Sequence, residues 1–179
     1  IFSGNLLLLV CSLFYLAWWV AAFYPNPSER SSGVFYITAA FITGITAIVL
    51  MCMGINSLSN VSKGFPVTLI LLGCAAVFFI FLIVTFAVFK RIVTSELLII
   101  HLWAALELSV AAVLYGTGRF GLKQAIILAV LVAIAVLIGL ICYVLYYRLD
   151  GIASYWDGMI PLMADGFVMA VILVMSVFT

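Results

Sequence analysis

The sequence predicts an all-α, polytopic membrane protein with six transmembrane helices, and three observations lead there. Of the 179 residues, 69% are hydrophobic and only 7% are charged, against about 25% charged in ordinary soluble domains. Mean hydropathy is +1.46. The apolar residues fall into six runs, each near the ~20 residues that a helix needs to cross hydrocarbon. Those runs are apolar on every side, whereas strands of a membrane β-barrel would alternate apolar and polar residues.

The runs are expected at approximately 5–24, 34–55, 66–89, 95–115, 121–147 and 158–178, in a single bundle over residues 1–179. The first lacks a positive n-region and an A-x-A-like site, so it is expected to span rather than to be cleaved. Pro25-Asn26-Pro27-Ser28-Glu29-Arg30 closes it with turn-forming residues. The second run carries Thr38, Thr43 and Thr46, then Met51 and Met53, and ends in Asn56 to Gly64. The third is nearly without polar groups and stops at Lys90-Arg91. In the fourth, Thr94 precedes Ser95-Glu96 as an N-cap, and Gly116-Thr117-Gly118-Arg119 ends it. The fifth has no polar side chain but Cys142 over residues 125–142, and Arg148-Leu149-Asp150-Gly151 follows. In the sixth, Pro161 removes an N–H from the ladder and loosens the helix near the acids.

Short breaks make neighbouring helices antiparallel and put both chain ends on one side. Arg30, Lys90, Arg91 and Arg148 then face Lys63, Arg119 and Lys123 across the membrane, too even a balance for a positive-inside assignment. Val20-Ala21-Ala22-Phe23-Tyr24 echoes Val110-Ala111-Ala112-Val113-Leu114-Tyr115, and Gly64-Phe65-Pro66 echoes Gly158-Met159-Ile160-Pro161. A three-plus-three inverted repeat would produce such echoes; chance likeness between apolar segments would too.

Small residues four apart, such as Ala125, Ala129 and Ala133, Ala135 and Gly139, Ala105 and Ser109, or Gly166 and Ala170, are expected at close helix contacts. Trp18, Trp19 and Tyr24, with Tyr155 and Trp156, read as an interfacial aromatic belt.

The chemistry rests on ionisable groups within the runs. Glu107 and Asp165 lie at bilayer depth, where a charged side chain costs roughly 2.5–3.5 kcal/mol on insertion scales. No Lys or Arg lies at matching depth, so both cannot be ionised cheaply without a cation, water or His101 nearby. Glu107 shares a stripe of the fourth helix with Trp103 and Glu96, while His101 points about 120° away. Glu107, Asp165, His101 and Trp103 are therefore the candidate lining of a solute or ion path among helices 1, 2, 4 and 6. Glu96 and Asp157 sit near expected helix starts and read as mouth residues that stay wet. The competing reading makes the two deep acids protonated glue, each donating to a neighbouring helix.

Formal charge is only +1, which excludes a basic nucleic-acid surface. Cys11, Cys52, Cys74 and Cys142 form no C-x-x-C pair, and one histidine cannot complete a familiar metal set. No cofactor motif is present. The leading expectation is a small channel or transporter for a small solute or ion, proton-coupled through the intramembrane carboxylates. A non-transporting membrane subunit or a lipid- or ligand-binding protein is the alternative, and an intramembrane enzyme acting on a lipid is the third. Expected partners are the bilayer, the solute or ion, and further copies or other subunits of a membrane complex.

Overall fold

The computed structural model describes residues 1–62, 65–89, 94–146 and 148–178, together with all their side chains except those of Pro27, Phe89 and residues 94–96. Its regular structure is helical throughout the described residues. The helices are α1 (Phe2–Phe23), α2 (Val34–Ser59), α3 (Val67–Phe89), α4 (Thr94–Gly116), α5 (Leu122–Tyr146) and α6 (Ile152–Val177). All six are long and apolar enough to cross a membrane. The fold is all-α and polytopic, as expected.

The loops show why the helices stop where they do. After α1, Asn26 accepts from the Ser28 N–H at 3.3 Å and hydroxyl at 2.9 Å, forming a local turn. Arg30 Nε folds back to the Tyr24 carbonyl at 2.7 Å, a cation on a helix C-terminus. After α4, Gly118 takes φ 75°, a left-handed value that favours glycine. The chain reverses there, and the Phe120 N–H reaches the Leu114 carbonyl at 3.0 Å. Gln124 then accepts the Gly121 N–H at 2.7 Å, half of a capping box at the start of α5.

One boundary differs from expectation. Helix α6 begins at Ile152 rather than near 158 and runs unbroken through Pro161. Proline takes its own N–H from the ladder and crowds the carbonyl four residues before it, and a membrane helix tolerates this where neighbours re-satisfy the freed backbone. Asp157 is consequently inside the helix and 5% exposed, not at a wet mouth.

The chain divides into two compact units, and they are not consecutive halves. The first comprises residues 1–54 and 144–179, hence α1, most of α2, and α6; the second comprises 55–143, hence α3, α4 and most of α5. The four helices singled out for polar content therefore do not share one unit.

In the first unit α1 packs between α2 and α6. Its contacts recur every seven residues, two turns of helix. Gly4 lies against Met51 and Ala47, Cys11 Sγ donates to the Ala40 carbonyl at 3.1 Å, and Trp18 covers Gly33. One position further on, the stripe Asn5, Ser12 and Trp19 turns to the other side. Ser12 Oγ donates to the Leu162 carbonyl at 3.1 Å, and Trp19 Nε1 to that of Tyr155 at 3.1 Å. Residue numbers rise on α1 as they fall on α6, so the pair is antiparallel. The Trp19 ring lies flat over Gly158, where any Cβ would collide with it. Trp18 and Trp19 thus pack between helices, whereas Trp156 is exposed.

In the second unit α4 packs against both α3 and α5. His101 stands between Phe78 and Phe81 of α3, with ring centroids 5.7 and 5.9 Å away. Ile100 meets Gly139 of α5. The buried stripe of α5 is Leu128, Val132, Ala135, Gly139 and Cys142, so the Ala135–Gly139 pair makes the close contact. Ala133, by contrast, is exposed. Helix α4 is the most enclosed of the six, with 67% of its central window buried against 33% or less for every other helix.

Candidate functional site

The deepest titratable group is Glu107, with 0% exposure. Its place follows from the helix repeat. Seven residues after Ile100, it lies within about 20° of the face that meets α5. Ile100 on one side contacts Gly139, and Ala111, one turn beyond Glu107, lines a groove with Ala125 and Ala129. The carboxylate is therefore bracketed along the α4–α5 seam. Trp103, one turn before it, is 6% exposed, and its Nε1 has no hydrogen-bond partner among the described residues. The predicted stripe thus holds for Trp103 and Glu107, and both are enclosed. The side chain of Glu96 lies outside the described residues.

His101 faces α3 instead. Its Nδ1 is 2.8 Å from the Leu97 carbonyl, an acceptor, so Nδ1 carries the proton that is shared. Nε2 is buried without a partner among the described residues. The imidazole is thus held by its own helix and leaves one ring nitrogen unused inside aromatic packing. Ser109 is also buried but answers to its own helix, donating to the Ala105 carbonyl at 2.6 Å.

Asp165 belongs to the first unit. It is half-buried on α6, within about 20° of Gly158 and of Ile172 on the helical wheel. Leu162, three residues earlier, accepts the Ser12 hydroxyl, and Gly166 lies beside that hydroxyl as well. Asp165 makes no side-chain hydrogen bond to another described residue. The two deep acids therefore occupy different units, each on a seam of its own.

Sequence reasoning missed Asn5. It is fully buried, and neither its amide nitrogen nor its oxygen has a partner among the described residues. A buried amide without a partner costs about 1–3 kcal/mol. The available signal was spacing: Asn5, Ser12 and Trp19 carry polar atoms at intervals of seven in an otherwise apolar helix. The threonines of α2 move the other way. Thr43 and Thr46 donate to the Ala39 and Ile42 carbonyls at 2.7 and 2.8 Å, so their hydroxyl protons are spent within their own helix.

Among the described residues no group of three or more His, Cys, Asp or Glu could hold a metal ion. The cysteines are free thiols. Fold and buried polar groups together define an integral, multi-pass membrane protein. The chain matches no family model, no curated protein and no solved structure, so its own residues carry the functional reading.

Proposed function

We propose that the protein is a small membrane channel or transporter for a small solute or ion, coupled to protons through Glu107 and Asp165. One observation carries the reading. A fully enclosed carboxylate sits mid-span on the most buried helix, which also holds His101 Nε2 and Trp103 Nε1 without partners among the described residues. Buried polar atoms are almost always satisfied in proteins, and in hydrocarbon the penalty for leaving them unsatisfied is several kcal/mol. Ring nitrogens left in this state persist where a polar species meets them during a working cycle, and Glu107 is enclosed on the same helix. Glu107 is the coupling residue in this reading, Trp103 offers a donor one turn away on the same stripe, His101 faces α3 separately, and Asp165 serves the other unit.

The test is flux in reconstituted vesicles, read with an entrapped pH dye under an imposed potential and with monovalent cations varied. Glu107→Gln and Asp165→Asn keep size and hydrogen-bonding capacity but remove the titratable proton. Proton transfer by a positioned side chain is typically worth 10²–10⁴-fold, so a loss of roughly 100-fold in coupled flux is expected, with the melting point in detergent little changed. Lower melting points with flux per folded molecule intact would sink the reading and favour protonated glue. Absence of any flux from the unsubstituted protein would favour a non-transporting subunit.

A further inference from the structure

The second unit has a groove that the proposed transport reading does not use. It has a volume of about 250 Å³ and lies where α3 and α5 part from the last turns of α4, lined by Ile70, Leu108, Ala111, Tyr115, Ala125 and Ala129. That is below the roughly 300–1,000 Å³ of a pocket for a whole small molecule, and suits a narrow chain. Its lining is aliphatic except for Phe65 and Tyr115. The small side chains of Ala125 and Ala129, spaced like a helix contact, here leave a slot.

The charge at this end of the unit identifies the occupant. The groove runs toward the loop joining α4 to α5, where Arg119 and Lys123 are both exposed. Lys123 stands three residues before Ile126, a groove residue, so the two are neighbours on one helix face. Arg119 follows the turn that begins at Tyr115. In sequence, Lys63 precedes Phe65, another lining residue, by two positions. Residues 56–66 and 116–124 of the sequence contain no Asp or Glu at all. An apolar groove that ends beside exposed Arg119 and Lys123 matches a lipid with an anionic head group.

We propose that this groove binds one acyl chain of an anionic phospholipid, whose phosphate is held by Arg119 and Lys123. The proposal is independent of transport and survives or fails without it. It concerns a specific lipid seat, distinct from the general solvation of the exposed apolar surface. Each surface cation is worth about fivefold in binding to an anionic lipid, and two about 30-fold. The attraction also falls as salt shortens the Debye length below about 10 Å.

Delipidated protein in detergent is titrated with phosphatidylglycerol or phosphatidylcholine and read by native mass spectrometry, with the melting temperature followed in parallel. The unsubstituted protein is expected to bind one phosphatidylglycerol saturably and to prefer it over phosphatidylcholine. The double variant Arg119→Gln, Lys123→Gln should weaken phosphatidylglycerol about 30-fold and leave phosphatidylcholine unchanged. Ala129→Phe fills the slot while keeping both cations, and should abolish the saturable site; Ala125→Phe does the same should the first variant fail to fold. Equal affinity for the two lipids would overturn the proposal. So would a groove-filled variant that still binds phosphatidylglycerol, or inorganic phosphate competing as well as the whole lipid.

Discussion

Helices α1 and α4 are each packed on both sides within their own unit, yet different contacts stand out on each. Helix α1 uses close approach and cross-helix hydrogen bonds: Gly4 on Met51, Trp19 on Gly158, Ser12 and Trp19 to carbonyls of α6. Helix α4 makes contacts of side-chain surface, with Ile100 on Gly139 and the Phe78 and Phe81 rings around His101. In lipid, apolar burial gives little net drive for one helix to join another, because acyl chains are as apolar as leucine. What remains is packing quality and hydrogen bonding. Both are visible where α1 meets α6, and packing is visible where Ile100 and His101 of α4 meet α5 and α3. The difference teaches where each places its polar groups: α1 sets its serine and tryptophan donors on backbone carbonyls of α6, while α4 encloses a carboxylate.

The comparison can be broken most sharply at Gly158. A methyl group there meets the Trp19 ring, which is stiff and cannot retreat as a flexible side chain would. Gly158→Ala should destabilise the protein by about 1–3 kcal/mol, the usual cost of overpacking. Adding Trp19→Ala should return part of that loss, since the two residues share the contact. Both are read by thermal melting in detergent, and an unchanged melting point for Gly158→Ala would mean that the α1–α6 seam is loose. A smaller effect is expected at Ser12. Loss of its bond to Leu162 in Ser12→Ala should cost about 0.6 kcal/mol, the mean for interhelical hydrogen bonds in a membrane. The smallest is expected at Gly139, where an added Cβ would lie 3.4 Å from Ile100, ordinary contact distance. Gly139→Ala should be neutral within about 0.5 kcal/mol. A large loss there would erase the contrast between the units.

Six spans, their approximate limits and the burial of Glu107 were legible because length and hydrocarbon cost are local properties of the chain. Partner choice was not. An apolar run looks the same whether it faces lipid or another helix, so nothing in residues 66–89 or 121–147 announced that α4 would pack with α3 and α5. The start of α6 was missed for a different reason. Proline favours the first turn of a helix, and Pro161 with Gly158 before it reads as a beginning, although the helix had already formed from Ile152. Asn5 was passed over because one amide near the end of a long apolar run resembles a boundary residue. Its significance lay in a spacing of seven, visible only once Ser12 and Trp19 are known to face α6.

The composition of the first unit also has a consequence in time. Helix α1 is made before α6, with the whole of the second unit synthesised between them. At roughly 5–20 residues per second, the interval from Phe23 to Ile152 lasts about 6–25 s. Throughout it, the hydroxyl of Ser12 and the indole N–H of Trp19 have no α6 carbonyl to reach. The nascent protein must carry a half-built polar seam in the membrane until α6 arrives. A ribosome stalled before Ile152 would leave that seam open, a surface for the cell's quality control to recognise.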